Sequence, residues 1–313
     1  MSRKIILDCD PGHDDAIAIL LAHGNPEVEL LAITTVAGNQ TLPKVTNNAL
    51  RICTVAGIRD VPVAAGCEFP LVRDQITAAE IHGASGLDGP ELPAATVTLD
   101  PRHAVDLIVE LVMSHEPGQI TLVPVGPLTN IAMAMRREPR IVERVSEVVL
   151  MGGAYTRGNR TAAAEFNIYA DPEAAAAVFA GAWRVTMIGL DLTHQAGATP
   201  DVLERLTAID TPLSKIVVDW LGFFGSTYSS VSGMVAPPVH DPCAVARVID
   251  ASVMEVEDAL VVVETHGRLT YGMTVTNFRD GYNDEHNTLV ATKLDVAKFW
   301  DLVVAAVTEI GTP

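Results

Sequence analysis

Four aspartates crowd into eight residues near the N-terminus, in Asp8-Cys9-Asp10-Pro11-Gly12-His13-Asp14-Asp15. Carboxylates packed this closely raise one another's pKa unless positive charge intervenes, and the motif contains no Lys or Arg. A helix N-terminus beginning near His13 would offer only about half a charge. A hard divalent cation meets the need, and an all-oxygen donor set without Cys or His spacing points to Ca²⁺ or Mg²⁺ rather than zinc or copper. Neighbouring helical residues project about 100° apart, so Asp14 and Asp15 serve different atoms, one a metal and the other a ligand. A plainer alternative makes one or both of them helix N-terminal acids.

A strand-to-helix turn must present this cluster, and the rest of the chain supplies a matching framework. Short β-branched runs alternate with longer helical ones. Strands are expected at Lys4–Cys9, Leu30–Val36, Ile120–Val125, Glu147–Met151, Val185–Leu190 and Leu260–Val263. Helices are expected at Asp14–His23, stopped by Gly24, and at Pro101–His115 and Pro127–Arg137, where a leading proline loses nothing by lacking an N–H. Asp171-Pro172-Glu173 opens another. The pattern predicts an α/β fold with a mostly parallel, Rossmann-like open sheet flanked by helices. Gln195 to Ser232 reads as mainly helical, a lobe over the carboxyl ends of the strands. Without repeats, low-complexity tracts or composition breaks, residues 1–313 read as one domain. In open α/β sheets ligands collect at the strands' carboxyl ends, and Asp8, Asp10, Gly38, Asn39, Gly126, Gly152 and Gly153 all fall there.

The bulk properties narrow the function. A 49% hydrophobic content can fill a large core. A net charge of −18 disfavours nucleic acid, whose phosphates need concentrated Lys and Arg, and disfavours anionic membranes. The apolar stretch Ile5–Leu7 is too short for a signal peptide, and no run approaches the roughly 20 residues of a membrane span, so a soluble, cytoplasmic protein is expected. Cys9, Cys53, Cys67 and Cys243 lie far apart, as ordinary core thiols do.

The block Asp8-x-Asp10-Pro11-Gly12-x-Asp14-Asp15-Ala16 resembles the N-terminal signature of the inosine-uridine-preferring nucleoside hydrolases. The similarity continues, in the family's order, through Thr34-Thr35-Val36-Ala37-Gly38-Asn39, His82-Gly83-x-x-Gly86-Leu87-Asp88-Gly89, Val125-Gly126-Pro127-Leu128-Thr129-Asn130, Met151-Gly152-Gly153, Glu165-Phe166-Asn167 and His240-Asp241-Pro242. The resemblance implies Ca²⁺-dependent hydrolysis of the N-glycosidic bond of purine or pyrimidine ribonucleosides, such as inosine, uridine or cytidine, to free base and ribose in nucleoside salvage. It implies Asp10, Asp15, Asp241 and the Val125 carbonyl as Ca²⁺ ligands. Relatives carry a hydroxyl side chain at Val125, but a carbonyl ligand leaves the side chain free to vary. Asp241 has a plain alternative, since Asp-Pro commonly opens a helix, as at Asp171-Pro172.

By the same resemblance the sugar is bound by Asp14, Asn39, Asn159, Glu165 and Asn167, with Met151 also in the substrate site. Amides and carboxylates suit a polyol, which both donates and accepts; for Asn159 a turn role competes. A carboxylate at Glu165, near the sugar's 5′ end, would repel phosphate, so free nucleosides are expected rather than nucleotides. N-glycosidic hydrolysis passes through an oxocarbenium-like sugar. The implied mechanism has a metal-bound water activated by Asp10, with His240 assisting the departing base as the side chain that titrates near neutral pH. His82 would belong to a lid near the base, and Phe166 and Tyr228 would touch base or sugar, although a core role competes for both. Phe224 stands where some relatives place a second tyrosine, which weakens a tyrosine relay. Trp183, Trp220 and Trp300 lie outside the matching blocks, so the tryptophan-sandwich subtype specific for purines is not expected. Relatives are commonly oligomeric, implying a homodimer or homotetramer.

Two other classes compete. A phosphatase of the haloacid-dehalogenase type also ends a strand in D-x-D, but it needs a catalytic Lys that the sequence does not reveal. A non-enzymatic Ca²⁺-binding module would leave Asn39, Glu165, Asn167 and His240 without a shared purpose.

Overall fold

The apolar run Ile5–Leu7 lies in the middle of strand β1 (Arg3–Cys9), which is buried on both faces. Side chains alternate across a strand, so Ile5, Leu7 and Cys9 enter one core layer and Ile6 the other. The computed structural model describes residues 2–234, 236–279 and 285–311. The remaining strands are β2 (Val28–Thr35), β3 (Val63–Ala65), β4 (Ile120–Pro124), β5 (Glu147–Met151), β6 (Val185–Ile188), β7 (Met254–Val263), β8 (Thr274–Asn277) and β9 (Thr288–Leu294). All join one sheet in the order β3-β2-β1-β4-β5-β6-β9-β7-β8. Pairing is parallel from β3 through β9 and antiparallel at β9–β7 and β7–β8.

The helices are α1 (His13–Gly24), α2 (Leu42–Val55), α3 (Ala79–His82), α4 (Ala104–Ser114), α5 (Thr129–Arg137), α6 (Ile141–Arg144) and α7 (Phe166–Ala170). They continue as α8 (Pro172–Phe179), α9 (Leu190–Thr193), α10 (Pro200–Ala208), α11 (Pro212–Ser232), α12 (Pro242–Ile249) and α13 (Val296–Gly311). One apolar layer gathers α1, α2 and α10–α13; the other gathers α4, α5 and α8. Helix α1 is apolar nearly all round because α12 and α13 cover the side turned from the sheet. Cys9, Cys53 and Cys243 are buried free thiols and Cys67 is half-buried. Among the described residues no helix is long and apolar enough to cross a membrane.

The expected α/β architecture and its six strands are present, with shifted ends. Helix α4 starts at Ala104 rather than Pro101, because the His103 side chain caps Val105 N at 3.2 Å while Asp100 accepts from Arg102 N at 2.9 Å and turns the chain first. The strand expected to reach Leu190 ends at Ile188, since Leu190 already opens α9. Helix α5 begins two residues after Pro127, at Thr129. Strand β1 has β2 on one side and β4 on the other. Strand order reverses there, and the loops part to leave a crevice at the carboxyl ends.

Candidate active site

Beyond the carboxyl end of β1 the chain enters α1, and Asp10, Asp14 and Asp15 are all buried at that turn. Asp15 organises it, accepting from Asp10 N at 3.0 Å and Gly12 N at 2.8 Å, with Asn39 Nδ2 at 3.2 Å. Asp10 Oδ2 accepts from Asn39 N at 2.6 Å, whereas its Oδ1 is buried without a partner. Gly38 and Gly126 close over this carboxylate so tightly that a Cβ on either would collide with it. Asp8 faces the other way. Its Oδ1 accepts from Thr34 Oγ1 at 2.5 Å and Asn130 Nδ2 at 2.7 Å, tying β1 to β2 and α5 as a support for the turn.

Asp241 completes the cluster from the start of α12. The dipeptide Asp-Pro begins both α8 and α12, but the two aspartates behave oppositely. Asp171 caps its helix, accepting from Ala174 N at 3.1 Å, and also holds Leu71 N and Thr129 Oγ1. Asp241 makes no cap bond. Its carboxylate turns instead to Asp15, with which it shares a side-chain hydrogen bond. Asp14, Asp15 and Asp241 bring ligand oxygens within 4.8 Å of one another. Asp14, expected on the sugar, therefore stands in the triad, and Asp10, expected on the metal, stands beside it.

Burial raises all four carboxyl pKa values, and repulsion from neighbouring carboxylates adds to it at Asp10, Asp14 and Asp241. Asp14 reaches about 7. A carboxylate-to-carboxylate hydrogen bond forms only with a proton held between the pair. A divalent cation would release that proton and relieve the repulsion, and hard oxygen donors suit Ca²⁺. The residues fit such an ion, with the partnerless Asp10 Oδ1 at hand. The hydrogen-bond partners of the Asp8 and Asp10 carboxylates are Thr34, Asn130 and Asn39, none of them a lysine, among the described residues.

Asp14 and Asp241 of the triad line a pocket whose walls include Asn39, Val125, Met151, Glu165, Asn167 and His240, with Asp15 behind them. The Val125 carbonyl accepts from Asn167 Nδ2 at 2.7 Å. The Glu165 carboxylate is held by the backbone N–H groups of Gly153, Asn167 and Ile168 at 2.8 to 3.0 Å, so it fixes the loop after β5 while facing the pocket. Asn159 and Phe166 line the outer rim, linked by a 2.9 Å bond from Phe166 N to Asn159 Oδ1. Across the mouth, Arg160 pairs with Glu80 of α3 at 2.6 Å.

His82, read from sequence as part of a loop lid, is buried at the end of α3. It stacks on Phe224 and on His13, with the two Nδ1 atoms 3.1 Å apart. His13 Nε2 lies 2.7 Å from the Asp88 carbonyl. The Tyr228 hydroxyl lies 3.3 Å from His240 Nε2, and Thr193 Oγ1 lies 2.8 Å from His240 Nδ1. Burial holds the His240 pKa down to about 3 and pushes the Tyr228 phenol up. Both groups therefore enter the pocket uncharged near neutral pH. Trp183, Trp220 and Trp300 belong to the core. Sequence reading missed Thr193, His13, Arg160 and Glu80. Asp88 marked the loop that holds His13, but nothing in the sequence marks Thr193.

Comparison with known proteins finds relatives along the whole chain. The family model of the inosine-uridine preferring nucleoside hydrolases matches residues 5–301. The inosine-uridine preferring nucleoside hydrolase of Crithidia fasciculata is 59% identical over all of both chains. A pyrimidine-specific ribonucleoside hydrolase of Escherichia coli is 46% identical over 96% of each chain. Among solved structures, a purine-preferring ribonucleoside hydrolase from Gardnerella vaginalis superposes with a TM-score of 0.92 at 32% identity over 99% of each chain. The chain belongs to the inosine-uridine preferring nucleoside hydrolase family.

Proposed function

We propose that this nucleoside hydrolase cleaves the N-glycosidic bond of free ribonucleosides, uses Ca²⁺ held by the buried acid cluster, and takes Asp10 as its general base. The observation that carries the reading is the Asp241 carboxylate, which leaves its own helix uncapped to join Asp14 and Asp15 and, with Asp14, lines a pocket walled by Asn39, Asn167 and His240. A Ca²⁺ ion bound there would supply charge that eases ionisation of water and a flexible oxygen-rich shell that a sugar diol can enter. Asp15 and Asp241 would hold it, with the Val125 carbonyl, Asp10 and Asp14 adjoining.

The protein groups divide the remaining work. Asp10 Oδ1, buried and unpartnered, takes the proton of the attacking water as the water oxygen bonds to C1′ and the C1′–N bond breaks. Asn39, Asn167, Glu165 and Asp14 hold the ribose hydroxyls, and their negative potential favours the oxocarbenium-like sugar. The departing base gains its proton on the far side, where His240 and Tyr228 stand. Among the described residues no Lys or Arg pairs with Glu165, which supports nucleosides over nucleotides. The relatives named above differ in base preference, so the reading extends to ribonucleosides as a class. Incubation with a panel of purine and pyrimidine nucleosides should release free ribose, and thorough chelation should abolish the release. No ribose from any nucleoside overturns the reaction; activity undiminished by chelation overturns the metal.

A further inference from the structure

We propose that Thr193 is a positioning residue for the reaction, its hydroxyl donating to His240 Nδ1 and so holding the imidazole with its proton on Nε2, the nitrogen that faces Tyr228 and the base side of the pocket. This rests on the reading of His240 as the group that assists the departing base. Thr193 ends the single-turn helix α9, which follows the carboxyl end of β6, and it is wholly buried. Its Oγ1 lies 2.8 Å from His240 Nδ1, and this oxygen forms no other hydrogen bond among the described residues.

A helical threonine often turns its hydroxyl back onto a carbonyl one turn earlier, as Thr54 does to Leu50 O at 2.8 Å and Thr308 to Val304 O at 2.7 Å. Thr193 does not. Among the described residues the Gly189 carbonyl one turn back receives only backbone N–H groups, from Leu192 at 3.1 Å and Thr193 at 3.0 Å. Among the described residues the hydroxyl hydrogen finds its hydrogen-bond acceptor at Nδ1, and a buried donor left unmade costs more than the bond itself gains. An imidazole nitrogen that accepts carries no proton, so in the neutral ring the proton sits on the other nitrogen. Nε2–H then points to the Tyr228 oxygen at 3.3 Å. The backbone that carries the ring is anchored as well, since the His240 N–H donates to Asp14 Oδ2 at 3.2 Å. Thr193 thus ties the base side of the pocket to the sheet, as Asn39 ties the acid side.

Nitrogen-15 NMR of histidine-labelled protein tests the tautomer without turnover, with the His240 signals assigned by their loss in His240→Ala. The wild type should show a protonated Nε2 and an Nδ1 shifted by an accepted hydrogen bond. Thr193→Ser should keep that signature, and Thr193→Val should lose the hydrogen-bonded Nδ1 shift. With a natural nucleoside, Thr193→Val should lower kcat about tenfold with KM little changed. Thr193→Ser should restore it, and an activated aryl riboside should be nearly indifferent to both. In a His240→Ala background the Thr193→Val loss should vanish, because coupled residues are not additive. A proton on Nδ1 in the wild type, an Nδ1 shift unmoved in Thr193→Val, or a full Thr193→Val loss in the His240→Ala background overturns the proposal. Equal losses on both substrates in His240→Ala overturn the leaving-base role of His240 instead, and the nitrogen signature still decides whether Thr193 sets the ring.

Discussion

At the scale of single residues, one dipeptide serves two purposes, and only surroundings separate them. Asp171 spends both oxygens on backbone N–H groups and a hydroxyl, whereas Asp241 gives its helix nothing and enters the acid cluster. Asp171→Ala should therefore lower stability by roughly 1 to 3 kcal/mol, through a lost cap and two orphaned donors, and leave Ca²⁺ affinity unchanged. Asp241→Ala should leave α12 folded and weaken Ca²⁺ binding more than the 10- to 100-fold that outer partners of a metal site cost. Calorimetric Ca²⁺ titration beside thermal melts reads both, and equal Ca²⁺ affinities in the two variants would remove Asp241 from the metal site. The sequence could not tell these aspartates apart, because a carboxylate's direction depends on what stands opposite it. Asp15 and Asp241 are 226 residues apart, and only the family blocks hinted that they meet. Thr193 lay beyond even that hint, since its meaning comes from a ring 47 residues away.

At the scale of elements, what was legible is what repeats locally. Strands β1, β4 and β5 are short apolar runs, so their carboxyl ends, and with them Asp8, Asp10 and the Val125 carbonyl, could be located before any contact was known. Strand β7 was half hidden. Its first six residues, Met254-Glu255-Val256-Glu257-Asp258-Ala259, are mixed with charge because parts of this strand face solvent, leaving only Leu260–Val263 visible as a run. Strands β8 and β9 passed unread because threonine, asparagine and lysine interrupt their apolar residues, and helix α13 passed unread for want of a proline start. The pocket mouth shows the same limit, since α3 and the loop carrying Asn159 meet through the Arg160–Glu80 pair, which no local pattern announces. Thr227 Oγ1 also ties α3 to α11, at Ile81 O, 2.8 Å away. A half-exposed ion pair contributes about 0.2 to 1 kcal/mol. Glu80→Gln should accordingly raise KM for a nucleoside by no more than about fivefold, leave kcat alone, and lose its effect in high salt. Steady-state kinetics at two ionic strengths checks this, and a fall in kcat with unchanged KM would contradict a positional role.

At the scale of the whole molecule, the buried acids couple the metal to stability. Asp8 and Asp14 have folded pKa values near 7, raised first by burial, against an ordinary carboxylate value of 3.8. A group raised in this way keeps a proton in the folded state that the unfolded chain has already released. Its contribution to stability is complete below about pH 4 and is lost as pH rises toward about 7. The buried histidines run the other way across the same window, since His13 and His240, held down to about 4 and about 3 by burial, stay uncharged in the fold while the unfolded chain takes up protons as pH falls through 6.5, with or without Ca²⁺. Ca²⁺ engages the acids and not the histidines, so the gap between the Ca²⁺-loaded and the chelated melting temperatures, rather than the chelated curve by itself, should report the acids between pH 4 and pH 7. Ca²⁺ must find its ligands ionised, so its stabilisation should grow over the same range. It should reach about 2.7 kcal/mol once free Ca²⁺ stands a hundredfold above its Kd. Melting curves with chelator and with Ca²⁺ would thus diverge as pH rises. Parallel curves would mean that the ion does not bind the carboxylates whose burial strains this fold, and the cluster would need another explanation for its place at the switch point of the sheet.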